Sequence, residues 1–140
     1  LVSDDVTKVT LLEGREVVGS SSEITRNHME VRGIGIIDVA KMFGVRSIRL
    51  EKRLDLIVTL KPWHQVRDVD RLGMEEEYTK ILGINIPHMT IPVRPGRDMA
   101  RLIEVAAFQT KLRLAGHNAA KELDGRLIST MNRPSRPSIE

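Results

Sequence analysis

Asp4 and Asp5 stand side by side directly after Leu1-Val2-Ser3, a segment that reads as a short buried strand. Adjacent carboxylates at a strand end can hold Mg²⁺ through water or take a proton from an attacking group. That position, outside the carboxyl ends of strands, is where α/β sheets bind ligands. The same pair also begins turns. Glu30 and Arg32 flank Val31. In extended chain they share a face, as an ion pair or as a metal ligand beside a phosphate clamp. Gly33 and Gly35 come next, inside an apolar run, where they weaken helix and strand alike and suggest backbone passing close to something.

Arginine supplies the other chemistry. Asp70-Arg71 and the pair Arg94 and Arg97 lie in segments read as loop or turn. A loop arginine can neutralise charge on a transferring phosphoryl group. In Pro92-Val93-Arg94-Pro95-Gly96-Arg97, proline fixes φ and glycine permits a positive one. Two guanidinium groups are then held at a set separation ahead of a helix start, whose amides favour anions. The alternative is a turn with solvated arginines. His28, His64, His88 and His117 have no metal-ligand spacing and read as surface or core-edge residues. Trp63, beside Pro62, reads as a packing anchor. Neither a hydrolytic triad nor a G-x-S-x-G motif occurs.

The elements that must carry these groups alternate between strand and helix patterns. Val6 to Leu12 and Glu16 to Val18 predict a hairpin turned at Glu13-Gly14. Ser20-Ser21-Ser22-Glu23 resembles a capping box and predicts a short helix toward Met29. A helical turn is expected over Val39 to Phe43, ended by Gly44. Leu54, Leu56, Val58 and Leu60 predict a strand stopping before Pro62. A loop is expected from Lys61 to Glu77, and short strands at Ile81-Leu82-Gly83 and Met89-Thr90-Ile91 lie either side of Pro87. Asp98 opens the clearest helix, with Met99, Leu102, Ile103, Ala106 and Ala107 on one face and Gly116 closing it. A second helix starts at Asn118, with Ala120, Leu123, Leu127 and Met131 at helical spacing; Gly125 inside it costs about 1 kcal/mol of propensity. Residues 132–140 carry two prolines and two serines and are expected to be a disordered tail.

Length and composition bound the rest. The 140 residues suit one modest core. No segment approaches the ~20 apolar residues of a membrane span, nor does the start have a secretory pattern. Absence of cysteine excludes disulfides and thiolate chemistry. The net charge of +3 invites a nucleic-acid reading, but aromatic residues make up 3% and there is neither a basic run nor zinc-finger spacing. The chain begins with Leu1 and its first residues read as mid-strand, which points to a fragment or processed chain.

The ordered set formed by Leu1 to Asp5, Glu30 to Ile37, Asp70 to Gly73, Ile91 to Arg97, Ile103 to Ala107 and Gly116 to Ala120 resembles HPr kinase/phosphorylase over roughly Leu1 to Leu127. That family phosphorylates a regulatory serine of the phosphocarrier HPr and removes the phosphate again, controlling carbon catabolite repression and sugar uptake in bacteria. The resemblance implies an α/β fold with a P-loop kinase core related to the ATP-binding domain of phosphoenolpyruvate carboxykinase. That core would be truncated at the N-terminus and end in two C-terminal helices. Residues 1–131 would then be a partial catalytic domain. By resemblance, Asp5, with Asp4 the other choice, is the catalytic carboxylate, and Glu30 is the Mg²⁺ ligand. Arg71, Arg94 and Arg97 are catalytic arginines, and Asp4, Arg32, Gly33, Gly35, Pro92, Val93, Pro95 and Gly96 complete the signatures. The donor would be ATP or pyrophosphate, the partner HPr, the assembly a homohexamer and the location cytoplasmic, with no nucleic acid or membrane. No G-x-x-x-x-G-K-[ST] loop occurs in the sequence, and the upstream catalytic histidine is likewise missing. The 140 residues alone are therefore expected to be inactive; the alternative is a non-catalytic module that binds HPr or other subunits.

Overall fold

Lys8–Leu12 (β1) and Glu16–Ser20 (β2) form the predicted hairpin, paired antiparallel from Lys8↔Ser20 to Leu12↔Glu16. The computed structural model describes residues 1–66, 76–117 and 119–132. β2 is the middle strand of three. Its other neighbour is Glu51–Arg53 (β5), in register Val18↔Arg53 to Ser20↔Glu51. Val17 is 1% exposed and Val18 and Gly19 are also buried. The sequence reading missed β5, whose Glu51-Lys52-Arg53 carries no apolar signal. Charged residues suit an edge strand because they discourage further pairing.

His28–Val31 (β3) and Gly35–Asp38 (β4) form a separate two-stranded hairpin, in register His28↔Asp38 to Val31↔Gly35. The helix expected from Ser20 toward Met29 is not formed. Ser20 ends β2, and Ser22 Oγ caps a turn instead, accepting from Thr25 N at 3.3 Å and meeting Thr25 Oγ1 at 2.9 Å. Asn27, at φ +67°, then leaves helical geometry just ahead of β3. Helix α1 (Val39–Phe43) comes directly after β4, with Asp38 Oδ1 accepting from Lys41 N at 2.9 Å and Gly44 at its end, as predicted.

Leu1-Val2-Ser3 is not a strand. It is half-buried, and Leu1 bonds Ser47 O through its nitrogen and Arg49 N through its carbonyl without extending a ladder. The alternating segment from Leu54 is also shifted. Leu54 N donates to Val17 O at 2.8 Å, and the strand (β6) runs only over Ile57–Pro62. Glu77–Ile81 (β7) and Ile84–Val93 (β8) complete a sheet of order β6-β8-β7. Leu82 and Gly83 are its turn rather than strand, and Pro87 lies inside β8. Proline gives up one ladder donor, but its φ suits extended backbone, so the strand continues through it.

Helix α2 (Met99–Leu114) starts at Asp98, whose Oδ1 accepts from Arg101 N at 3.2 Å. Its buried stripe differs from the predicted one. Ala106 and Thr110 are buried, with Met99, Leu102, Gln109 and Arg113 half-buried, while Ile103 and Ala107 are exposed. Thr110 can be buried because its hydroxyl donates to Ala106 O at 2.9 Å. Helix α3 (Ala119–Met131) forms within the predicted range, and its Leu123, Leu127, Ile128 and Met131 are exposed. Asn118, the predicted start, and the tail from residue 133 lie outside the described residues. Among the described residues no helix is long and apolar enough to cross a membrane.

The chain divides into two units, Leu1–Ile57 with Tyr78–Ile86, and Val58–Glu77 with Pro87–Glu140. Val17 anchors the β1-β2-β5 sheet of the first. Val17→Ala is expected to lower stability by about 2 kcal/mol, read as a urea midpoint shift. Ile24→Ala, at a side chain 92% exposed, should change it by less than about 0.5 kcal/mol. Equal shifts for the two would contradict this placement of the core.

Candidate active site

The first unit gathers its carboxylates by a local turn and one long-range bond. Val6 N donates to Asp4 O at 2.7 Å, closing a three-residue turn around Asp5, whose φ is +61°. A positive central φ makes this the rarer, strained form of γ-turn. Ser3 Oγ donates to Val6 O across the same turn. Asp4 Oδ2 accepts from Glu30 N at 2.9 Å, tying the turn to β3. Asp4 is thus engaged through its side chain, while Asp5 is exposed. Together they line a cleft of about 190 Å³ with Glu30, His28, Thr25, Val6, Met29 and Ile36.

Asp4, Asp5 and Glu30 are therefore brought together on one cleft. The Asp-Asp pair is both turn and cleft wall, so the two readings of it are not exclusive. Arg32 does not join them on one face. It sits in the β3–β4 turn, closed by Ile34 N donating to Val31 O at 3.0 Å, and no ion pair links it to Glu30. Nor do Gly33 and Gly35 mark a close approach. A Cβ at either would meet nothing within 4 Å, and their φ values of +87° and +113° are the reason for glycine. His28, read as a surface or core-edge residue, borders the cleft. Its Nδ1 lies 2.8 Å from Arg26 O, which can only accept. Nδ1 is therefore the donor in that hydrogen bond.

The donor set of the cleft is hard carboxylate oxygen, suited to Mg²⁺. Among the described residues no group of three or more His, Asp or Glu converges to hold a metal. Mg²⁺ usually takes one or two carboxylates and completes its shell with water and substrate phosphates. Glu30 and Asp5 fit such a partial set.

In the second unit, β8 extends through Pro92 and Val93, so the turn is shorter than predicted and centres on Pro95-Gly96. Gly96 has φ +81°, and Arg97 N donates to Arg94 O at 3.4 Å. Asp98 then caps α2 with its own carboxylate, so the protein already places an anion at the helix start expected to bind one. Arg94 Cζ lies 4.7 Å from the centre of the Trp63 ring. Trp63, expected to be a packing anchor, is 48% exposed. No periodicity could have announced this contact, which joins residues 31 apart in sequence. Arg71 lies outside the described residues, as do Asp70, Leu72 and Gly73.

A sequence model of the HPr serine kinase C-terminal domain matches residues 1–127. The chain belongs to that family. It is 43% identical over 133 residues to the HPr kinase/phosphorylase of Caldicellulosiruptor bescii, covering 95% of this chain and 43% of that protein. Against the HPr kinase/phosphorylase of Geobacter sulfurreducens it is 40% identical over 141 residues, covering 100% of this chain and 44% of that protein. The solved structure of the Hpr(Ser) kinase/phosphatase from Coxiella burnetii matches with a TM-score of 0.76 and 28% identity, over 88% of this chain and 74% of that one. The mixed α/β fold is thus that of an HPr kinase, and the family inferred from the ordered motifs is the one found. The chain spans less than half the length of these curated relatives.

The geometry separates the roles of the two aspartates in this HPr kinase domain. Asp4→Ala is expected to cost about 1 kcal/mol of stability by leaving Glu30 N without its carboxylate. Asp5→Gly, which relieves a left-handed residue, should raise stability by up to about 1 kcal/mol. Paired thermal melts check both, and a destabilised Asp5→Gly would remove the case for strain at that turn.

Proposed function

We propose that this chain supplies the carboxylate, metal-ligand and arginine side of a bifunctional HPr serine kinase/phosphorylase site. The observation that carries the proposal is the turn at Asp4-Asp5. Asp4 is tied to Glu30 N, while Asp5 is left strained, exposed and beside Glu30. Strained backbone of this kind concentrates at functional sites. In the kinase direction Asp5 accepts the proton from the hydroxyl of the HPr serine as that oxygen attacks the terminal phosphorus of ATP or pyrophosphate, whose bridging P–O bond breaks to release ADP or inorganic phosphate. In reverse, an oxygen of inorganic phosphate attacks the phosphoserine phosphorus to form pyrophosphate, and the Asp5 carboxylic acid returns a proton to the departing serine oxygen. Microscopic reversibility assigns both transfers to one carboxylate.

Glu30 is the protein ligand for Mg²⁺, with Asp5 adjacent. The ion, when bound, neutralises charge on the phosphate oxygens. Arg94 and Arg97, on the turn after β8, bind the anion used in dephosphorylation, and Arg71 is the remaining catalytic arginine. The wider fold belongs with P-loop kinases related to phosphoenolpyruvate carboxykinase. The activity serves carbon catabolite repression in the cytoplasm, through a homohexamer. The 140 residues contain no Walker A loop, and a triphosphate without its amide cradle and lysine is poorly held. The chain by itself is therefore inactive. A second reading, a non-catalytic module for HPr or subunit contact, is favoured by the exposed apolar residues of α3.

Two measurements test the proposal. Incubated with HPr, Mg²⁺ and ATP, the 140-residue chain should give no phosphoserine mass shift; robust phosphorylation would overturn the need for the missing loop. Mn²⁺, used as a paramagnetic stand-in, should broaden the amide signals of residues 4–6 and 29–30 first. Glu30→Gln should weaken that effect severalfold, whereas broadening centred elsewhere would remove Glu30 as the ligand.

A further inference from the structure

Trp63 has no part in the chemistry above, yet among the described residues its ring lies under an arginine of the Pro92 to Arg97 turn. The indole sits on a short 3-10 turn over Trp63–Gln65, entered from Pro62 at φ −52° and closed by Val66 N donating to Trp63 O at 3.3 Å. The His64 ring meets it edge-on, with centroids 6.1 Å apart and planes at 88°. Over its face lies the Arg94 guanidinium, 4.7 Å from the ring centre. Among the described residues the Arg94 side chain makes no ion pair and no hydrogen bond.

We propose that Trp63 is a positioning residue for Arg94, holding its guanidinium by the face so that charge and N–H donors stay available to a phosphate oxyanion. The inference rests on the reading of Pro92 to Arg97 as an anion-binding turn, and adds how one of its two arginines is kept in place. The physical point is the kind of partner. A carboxylate would orient Arg94 equally well, but it would neutralise the charge and occupy the donors the anion needs. An aromatic ring does neither. The five N–H groups of guanidinium lie in its plane, whereas the attraction to the ring acts through its face. A long side chain without a partner would also lose more rotamer freedom on meeting the anion, and the ring contact removes part of that loss beforehand. Asp98, the nearest acidic residue in sequence, is engaged at the start of α2 through Arg101 N.

Trp63 is the only tryptophan in the chain, so its emission reports the contact directly. In the unliganded chain Arg94→Gln should shift or brighten that emission. Identical spectra would show that the contact does not form, and would overturn the proposal. Binding of inorganic phosphate, measured by ³¹P NMR, supplies the second readout. Trp63→Ala should weaken it roughly two- to fivefold, the size of a surface cation–π contact, with Trp63→Phe falling between that variant and the unmodified chain. Melting curves check that these substitutions at a half-exposed residue leave the fold intact. If Arg94→Gln weakens phosphate binding while both Trp63 variants bind like the unmodified chain, the positioning role falls and the anion-binding turn stands. If the unmodified chain binds no phosphate, or Arg94→Gln binds it equally well, the turn reading itself falls and takes this inference with it.

Discussion

The hydrogen bond from Glu30 N to Asp4 Oδ2 joins chain segments 26 residues apart, and the candidate site of the first unit is organised around it. It brings the turn of residues 3–6 against the start of the β3–β4 hairpin, and so places Asp5 and Glu30 on one cleft. Because Asp4 accepts that bond, its carboxylate is committed to structure. Asp5, next in the chain, is carried into a left-handed conformation by the closed turn. One bond thus divides two chemically identical residues into a tether and an available carboxylate. This is how a fold can give adjacent side chains different work without altering their chemistry.

The arginine side obeys a different principle. Arg94 and Arg97 lie on a turn that begins as soon as β8 ends and finishes as α2 begins, so their backbone is held at both ends. Of the two, Arg94 lies over an aromatic ring, that of Trp63. By contrast, Arg53, on the edge strand β5, is held by Asp55 at 2.6 Å and Glu16 at 3.3 Å. The Asp55 bond, and then Glu16, raise its pKa above the ordinary arginine value. An arginine surrounded by carboxylates stabilises its own surroundings. One lying over an indole ring keeps its charge unneutralised. Sequence composition counts both as the same residue.

Membership of the HPr kinase family explains why the motifs occur in this order, and the shared α/β fold explains how they can be presented. Buried apolar side chains are nevertheless few among the described residues: Val17, Val18, Val39 and Ile86 in the first unit, Ile91 and Ala106 in the second. Many large apolar side chains remain in contact with solvent, including Ile34 and Ile36 of the β3–β4 hairpin and Leu123 and Leu127 of α3.

Much of this was legible in the linear chain. The β1–β2 hairpin, the helix after Asp38 and the long helix after Asp98 depend on local signals, namely turn residues, capping carboxylates and short-range periodicity. The family was legible from the ordered motifs. The features that failed were those settled by partners distant in sequence. Ser22 makes the hydrogen bonds of a helix cap, but Asn27 and the pairing of His28 with Asp38 turn residues 28–31 into strand. Leu54 has strand-like alternation, yet its N–H is taken by Val17. Ile103 lies on the predicted apolar face, but packing selects the stripe through Ala106 and Thr110. The sequence by itself determined which chemical groups are present, their order and the local turns that carry them. That Asp4 is bound and Asp5 exposed, and that Arg94 lies over the Trp63 ring, was settled by tertiary packing alone, because a hydrogen bond or ring contact across tens of residues leaves no periodic trace in the chain.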